Sequence, residues 1–275
     1  MSDLLIGLLG SAGIAGAAYL KRSLSLSGFL AAVLLGTAMY AAGSAAWFGT
    51  LIAFFITSSL LSKVKAKRKA AAEEGYAKGS RRDAGQVLAN GGLGLLLCLG
   101  AALFPHPTWW AAFIGVMATV TADTWATEVG GLSPTAPRSI VTLRPVPAGT
   151  SGGVTPLGLG ASAAGGLFLG ASAWALGLLS AEPALPAGSV ASAAGLCAMG
   201  LAGGLAGSLA DSWLGAVCQA MYRCSVCGRD IEKNRHCGAA AVPVRGFSWM
   251  TNDLVNFLSS AAGGAAAWAL SLVFA

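Results

Sequence analysis

Every one of the 17 lysines and arginines lies in one of four connections between long apolar runs. Lys21 and Arg22 follow the first run, and Lys63, Lys65, Lys67, Arg68, Lys69, Lys78, Arg81 and Arg82 follow the third. Arg138 and Arg144 follow the fifth; Arg223, Arg229, Lys233, Arg235 and Arg245 follow the seventh. Basic residues confined to alternate connections are the signature of helices threading a membrane, with the basic side inward. The apolar runs are 4–20, 24–42, 45–61, 87–104, 109–129, 154–179, 190–222 and 254–274, near the roughly 20 residues a crossing requires. The seventh is long enough to suggest a break or re-entrant stretch, and the boundary near Gly43 is the least marked.

The expectation is a single all-α integral membrane domain over 1–275, a bundle of about eight transmembrane helices with both termini on the non-cytoplasmic side. Its cytoplasmic connections are a basic one at 63–82, a Gly/Pro-rich one at 130–153 and a cysteine-containing one at 223–250. The first run has no basic residue before it, so it reads as a retained helix and not a signal peptide. The net charge of +6 describes a face against anionic lipid, which excludes nucleic acid as the partner. The setting is a bacterial-type inner membrane with the site facing the cytoplasm. Trp47, Trp109 and Trp110 read as outer interface anchors and Trp249 as an inner one.

Two apolar runs carry acids in the same local sequence, Ala122-Asp123-Thr124-Trp125 and Ala210-Asp211-Ser212-Trp213. A carboxylate there costs a few kcal/mol unless it is hydrated, paired or bound to a cation. Helices five and seven run the same way, so the repeat is parallel, and both aspartates fall in their cytoplasmic halves. The polar starts of helices four, six and eight reach the same depth: Arg82 to Gln86 with Asn90, Gly149-Thr150-Ser151-Gly152-Gly153, and Asn252-Asp253 with Asn256. Asp123 and Asp211 are therefore candidate Mg²⁺ ligands, with Glu128 and Asp253 behind them. Asp123 and Glu128 stand about 140° apart on a helix, so one ion between them would need a break near Gly130-Gly131. Arg138, Arg144 and the Gly149–Gly153 backbone are candidate phosphate ligands, although the Walker ending is absent. The bland alternative is that these polar groups only glue helices together.

Cys98, Cys197 and Cys218 fall in helices and read as small apolar packers. Cys224 and Cys227, followed by His236 and Cys237, offer four donors for a structural Zn²⁺, against the alternatives of free thiols or a redox pair. His106 is read as incidental.

The ordered motifs Gln86 to Gly92, Ala122 to Glu128, Gly149 to Val154, Gly207 to Ser212 and Asn252 to Phe257 resemble one membrane family. It is the family of the plant phytyl-phosphate kinase of vitamin E synthesis and of animal transmembrane protein 19. The resemblance covers nearly the whole chain. It implies a Mg²⁺-dependent kinase that converts an isoprenyl monophosphate, of phytyl, geranylgeranyl or farnesyl type, to the diphosphate. CTP and ATP both remain open as donors, as does homodimerisation. In this reading Asp123, Asp211, Glu128 and Asp253 are catalytic. Asn90, Arg82, Arg138, Arg144, Gly149, Thr150, Ser151, Gly152, Gly153, Asn252 and Asn256 bind substrate or nucleotide. The rivals are an ion-coupled transporter or lipid flippase using the same carboxylates, and a lipid nucleotidyltransferase.

Overall fold

A computed structural model describes residues 2–64, 75–79, 81–180 and 192–274. Among these residues there are eight α-helices: α1 (Asp3–Leu20), α2 (Leu26–Ala42), α3 (Ala45–Leu61), α4 (Ala84–Leu103), α5 (Pro107–Gly130), α6 (Pro156–Leu179), α7 (Ala193–Val217) and α8 (Asn252–Phe274). Most of the basic connection 63–82 lies outside the described residues. In lipid a backbone must satisfy its own hydrogen bonds, so apolar sequence folds as helix and the polar residues mark its ends. Ser25, Ser44 and Thr155 accept hydrogen bonds from the first turns of α2, α3 and α6, and Asp83 with Gln86 forms a reciprocal cap on α4. His106 caps α5 through Nδ1, so it has a structural role that its sequence context did not suggest.

Four helices make the centre. α5 packs against α6, α7 and α8, and α7 packs in turn against α6 and α8. α1, α2 and α4 form an outer layer reaching α5 and α8 through α4, while α3 lies against α5 and α6. The centre is close because glycines meet at the crossings. Gly115 of α5, Gly203 of α7 and Gly263 of α8 touch one another, and a Cβ on Gly166 of α6 would strike the Gly200 carbonyl of α7 at 2.5 Å. Thr119 Oγ1 then bridges α5 and α7, donating to the Gly115 carbonyl at 2.8 Å or the Gly203 carbonyl at 3.1 Å. With no hydrophobic drive between helices in a bilayer, such small-residue contacts supply the packing.

Five helices, α1, α4, α6, α7 and α8, are long and apolar enough to cross a membrane by length and composition. At 17 residues each, α2 and α3 span only about 26 Å. α5 has the length without the hydropathy. Almost all of Trp110–Ala122 is buried against protein, so it need not be apolar on every side.

Three expectations are corrected. α7 is one unbroken helix of 25 residues; past its end Cys218 caps it and Met221 begins a strand, while residues 190 and 191 lie outside the described residues. Trp47 and Trp110 are not interface anchors: they are 6% and 2% exposed and pack on each other and on Phe113. Nor is the chain wholly α-helical. The connection after α7 folds into a small antiparallel sheet of β3 (Met221–Cys224), β4 (Asp230–Ile231), β5 (Arg235–His236) and β6 (Ala239–Arg245), in the order β4-β3-β6-β5. A two-residue pair, β1 (Arg138–Ser139) with β2 (Gly153–Val154), closes the Gly/Pro-rich connection. Tight turns and polar stretches in those loops left no helical period to continue.

The four basic connections gather at one end of the bundle. Lys63 Nζ donates to the Lys21 carbonyl, the 82 and 23–25 backbones pair, Ala77 N donates to Glu232, and Ser151 Oγ donates to Gln219. Contacts therefore agree with the alternation of charge.

Candidate functional site

At this basic end a polar cavity of about 970 Å³ opens between the helices. Asp123 and Thr127 of α5, Ser162 of α6, Ser208, Asp211 and Ser212 of α7, and Asn252, Asp253 and Asn256 of α8 line it. Arg82, Gln86 and Asn90 complete the wall from α4 and its cap, and Lys78 and Glu232 stand at its rim. With Glu128 of α5 also on the wall, five acids and two bases share one space among the described residues.

Asp123 of α5 and Asp211 of α7 line the same cavity from two helices packed directly on each other. Asp211 accepts a hydrogen bond from Ser259 Oγ of α8 at 3.0 Å. Asp123 accepts none among the described residues, which leaves its oxygens to the cavity. Beside them Ser162 and Ser208 hydroxyls lie 3.0 Å apart and knit α6 to α7. The duplicated tetrapeptides differ beyond the acid: Trp125 stacks on Phe168, while Trp213 is exposed on the outside of the bundle.

Asp253 is held by Lys78, whose ammonium also reaches Asp83 Oδ1 at 3.0 Å. The other oxygen of Asp253 is buried with no partner among the described residues. Burial works against the Lys78 charge, yet the hydrogen bonds to Asp253 and Asp83 outweigh it and hold the ammonium above the usual lysine range. Burial likewise opposes ionisation of Asp83, but the Gln86 N–H and Lys78 outweigh it and hold that carboxyl below the usual range. The stability this clamp contributes is therefore present above the unfolded aspartate value of about 4 and lost as pH falls through the lower folded one. At the alkaline side it is present below the unfolded lysine value of about 10.5 and lost as pH rises through the higher folded one.

Glu128 faces a different part of the wall. α5 runs on without a break through Gly130, and Glu128 accepts from Ser62 Oγ at 2.6 Å, with the Arg82 charge nearby. Arg82 itself lies over Phe54 and Phe55 and donates to Ser59 Oγ at 2.9 Å.

The loop Gly149–Gly153 also lines the cavity. Gly152 has φ +83°, and a Cβ there would strike Ala216 of α7, so only glycine lets the loop lie on that helix. Ser151 Oγ donates to Gln219 Oε1 at 2.9 Å. Arg138 and Arg144 do not line the cavity. Arg138 Nη1 donates to the Leu143 carbonyl of its own tight turn, and both side chains are exposed to solvent. Among the described residues the cations on the wall are Lys78 and Arg82 instead.

Lys78, Gln219, Glu232 and Ser259 are wall or supporting residues that the sequence motifs did not single out. Glu232 comes from the small sheet, where burial pushes its carboxyl up, and it accepts from Ala77 N at 3.0 Å. It lies in the connection between the two cysteine pairs and outside every quoted motif, so nothing local marked it.

The donor set suits a hard divalent cation: carboxylates from three helices, two of them without full hydrogen-bond partners, beside amide and hydroxyl oxygens. The same wall carries cations and backbone N–H groups suited to phosphate.

Comparison with known proteins agrees with the membrane architecture. Protein PGR of Arabidopsis thaliana is 34% identical over 280 residues, covering 93% of this chain and 92% of that protein. Protein VTE6, chloroplastic, from the same plant is 25% identical over 268 residues, covering 95% and 68%. An uncharacterized membrane protein, MJ0933 of Methanocaldococcus jannaschii, is 34% identical over 167 residues, covering 61% and 63%. No solved structure matches the chain. The family described as integral membrane protein DUF92 matches residues 9–264, and the chain belongs to it.

Proposed function

We propose that this protein is a membrane kinase that transfers a phosphoryl group from a nucleoside triphosphate to an isoprenyl monophosphate. The observation that carries the reading is the meeting of two spaces. An apolar groove lined by Ile14, Ala32, Leu35, Leu51, Phe54 and Phe55 ends at Arg82, Gln86 and Asn90, and those three residues also line the acidic cavity. A lipid tail in the groove would set its phosphate on the Arg82 guanidinium, where cavity and groove join. Membership of the family of the plant phytyl-phosphate kinase supports the same class of acceptor.

Asp123 and Asp211 would hold Mg²⁺, with Asp253 as a further donor; the ion would screen the charge of the nucleotide phosphates. Lys78, Arg82 and the N–H groups of Gly149, Ser151 and Gly152 would offset negative charge on the transferring group, those of Thr150 and Gly153 being taken by the Pro147 and Thr150 carbonyls. Asn90, Asn252 and Asn256 orient the acceptor phosphate and ordered water. The acceptor is already anionic, so positioning and electrostatics can carry the catalysis without a strong general base. By the positive-inside rule the basic end, and with it the site, faces the cytoplasm.

The direct test incubates detergent-purified protein with phytyl, farnesyl or geranylgeranyl phosphate, Mg²⁺ and either CTP or ATP. Isoprenyl diphosphate and a nucleoside diphosphate are expected. Failure of every pairing would remove the kinase reading, and pyrophosphate release would point to a nucleotidyltransferase.

Two substitutions separate head from tail. Arg82→Ala should raise KM for the lipid phosphate roughly 10- to 100-fold, as loss of a charge-assisted contact does. Ala32→Phe should fill the groove, reducing kcat/KM for geranylgeranyl phosphate about tenfold while sparing a short isopentenyl-type phosphate. Steady-state kinetics across chain lengths reads both.

A further inference from the structure

The small sheet carries a cluster that the phosphotransfer reading does not use. Cys224 ends β3 and Cys227 sits in the turn before β4; His236 ends β5 and Cys237 sits in the turn before β6. β3 and β6 pair with Cys224 opposite Ala241, which sets the two turns side by side. The three Sγ atoms and an imidazole nitrogen all lie within 4.8 Å of one another. Cys227 Sγ is 3.4 Å and Cys237 Sγ 3.2 Å from His236 Nδ1. Tetrahedral zinc with these ligands has ligand–ligand separations of about 3.4–3.8 Å. None of the three thiols is in a disulfide.

Neighbouring His and Cys in a chain seldom reach one ion, because successive side chains on an extended strand point to opposite faces. Here the backbone removes that objection. Cys237 has φ +50°, a left-handed conformation that folds its side chain back beside the His236 ring. A non-glycine residue held there is strained, and such strain persists only where surroundings enforce it. Gly228 and Gly238 follow their cysteines at φ +72° and +76°, giving both turns the same Cys-Gly form.

We propose that Cys224, Cys227, His236 and Cys237 bind one zinc ion, and that this ion holds the sheet in the shape that carries Glu232 to the cavity rim. Glu232 lies between the two ligand pairs in sequence. It binds the 75–77 segment twice, by its N–H to the Gly75 carbonyl at 2.9 Å and by its carboxylate from Ala77 N at 3.0 Å. The next residue, Lys78, clamps Asp253 and Asp83. The zinc site is thus a tie between two connections that wall the cavity. A structural zinc of this type supplies folding energy to a sheet too small to bury a core. The inference stands whether or not the cavity transfers phosphate.

The test uses the full chain, purified in detergent without a histidine tag, chelator or added metal. Elemental analysis should find about one zinc per chain, released by a thiol-specific mercurial. Cys227→Ser and Cys237→Ser should each lower the content at least roughly fivefold, while Cys197→Ser on α7 should retain it. Because a variant could lose the metal by failing to fold, wild-type protein stripped of zinc provides the second arm. Trypsin should then cut at Arg229, Lys233 or Arg235 about tenfold faster, and restored zinc chloride should reverse this. Fewer than roughly 0.1 zinc per chain, as purified and after incubation with zinc chloride, would overturn the site. Unchanged cleavage on stripping would overturn its holding role.

Discussion

Asp123→Asn and Asp211→Asn should each lower kcat for isoprenyl diphosphate formation by about 10³-fold or more, as loss of a metal ligand or main electrostatic stabiliser does. Asparagine keeps the shape of aspartate, and the Ser259 hydroxyl can still donate to an amide oxygen at position 211. The bundle should therefore survive, with unchanged helical circular dichroism and elution from a sizing column. A loss of activity with fold intact would tie the chemistry to the charges. Ser259→Ala, which removes the hydroxyl that can donate to Asp211 or to the Asn256 carbonyl, should cost about tenfold. Product formation by mass spectrometry and isothermal titration with Mg²⁺ and nucleotide read the two effects separately. Full activity in both asparagine variants would dispose of the metal assignment. So would equal loss in Ser259→Ala and Asp211→Asn, because a positioning group and a ligand should differ by orders of magnitude.

The largest effect on stability should come from Gly263→Val. A Cβ at 263 would overlap Thr119 Oγ1 and approach the Gly203 carbonyl at 2.5 Å and the Gly115 carbonyl at 3.2 Å. The obstacles are backbone atoms of two neighbouring helices and the hydroxyl that bridges them, so none can swing aside. α8 would have to move off α5 and α7 together, breaking the Thr119 hydrogen bond to Gly203. Overpacking of this kind costs about 3 kcal/mol or more, which should lower the thermal midpoint in detergent by roughly 5–10 °C. Gly13→Val, on α1 with open space around its Cβ, should change the midpoint little and serves as the control. Light-scattering or fluorescence melts would decide it. An unchanged midpoint for Gly263→Val would mean that the three-helix crossing is looser than described.

How much of this was legible in the chain follows from which interactions are local. The eight helices among the described residues appear as apolar runs because lipid demands internal hydrogen bonding of any segment that crosses it, and a bilayer cares about composition, not partners. The gathering of the basic connections was readable for the same reason. The carboxylates stood out because Asp123 and Asp211 break apolar runs. Their convergence with Asn90, Asn252, Asp253 and Asn256 on one cavity followed from helix direction and depth.

What escaped the linear reading depended on long-range contact. Arg138 and Arg144 had the right chemistry for phosphate, but a tight turn at Leu143, with φ +57°, aims Arg138 at its own loop. Trp47 and Trp110 have the amphipathic rings of interface anchors, yet aromatic packing with Phe113 takes them into the core. Lys78 was one basic residue among eight in its connection, and only its approach to Asp253 and Asp83 singles it out. Glu232 reaches the rim because a four-stranded sheet, invisible as a hydrophobic period, turns it toward residues 75–77.

Composition and order along the chain alone determined that it is a membrane helix bundle with acids set in apolar runs, since burial in lipid penalises each residue independently of its neighbours. Which helices touch, which cations face those acids and where an apolar groove meets them were decided only by tertiary structure. Those are properties of pairs, set by glycines that let backbones approach and by turns that point side chains, and no single position in the sequence carries them.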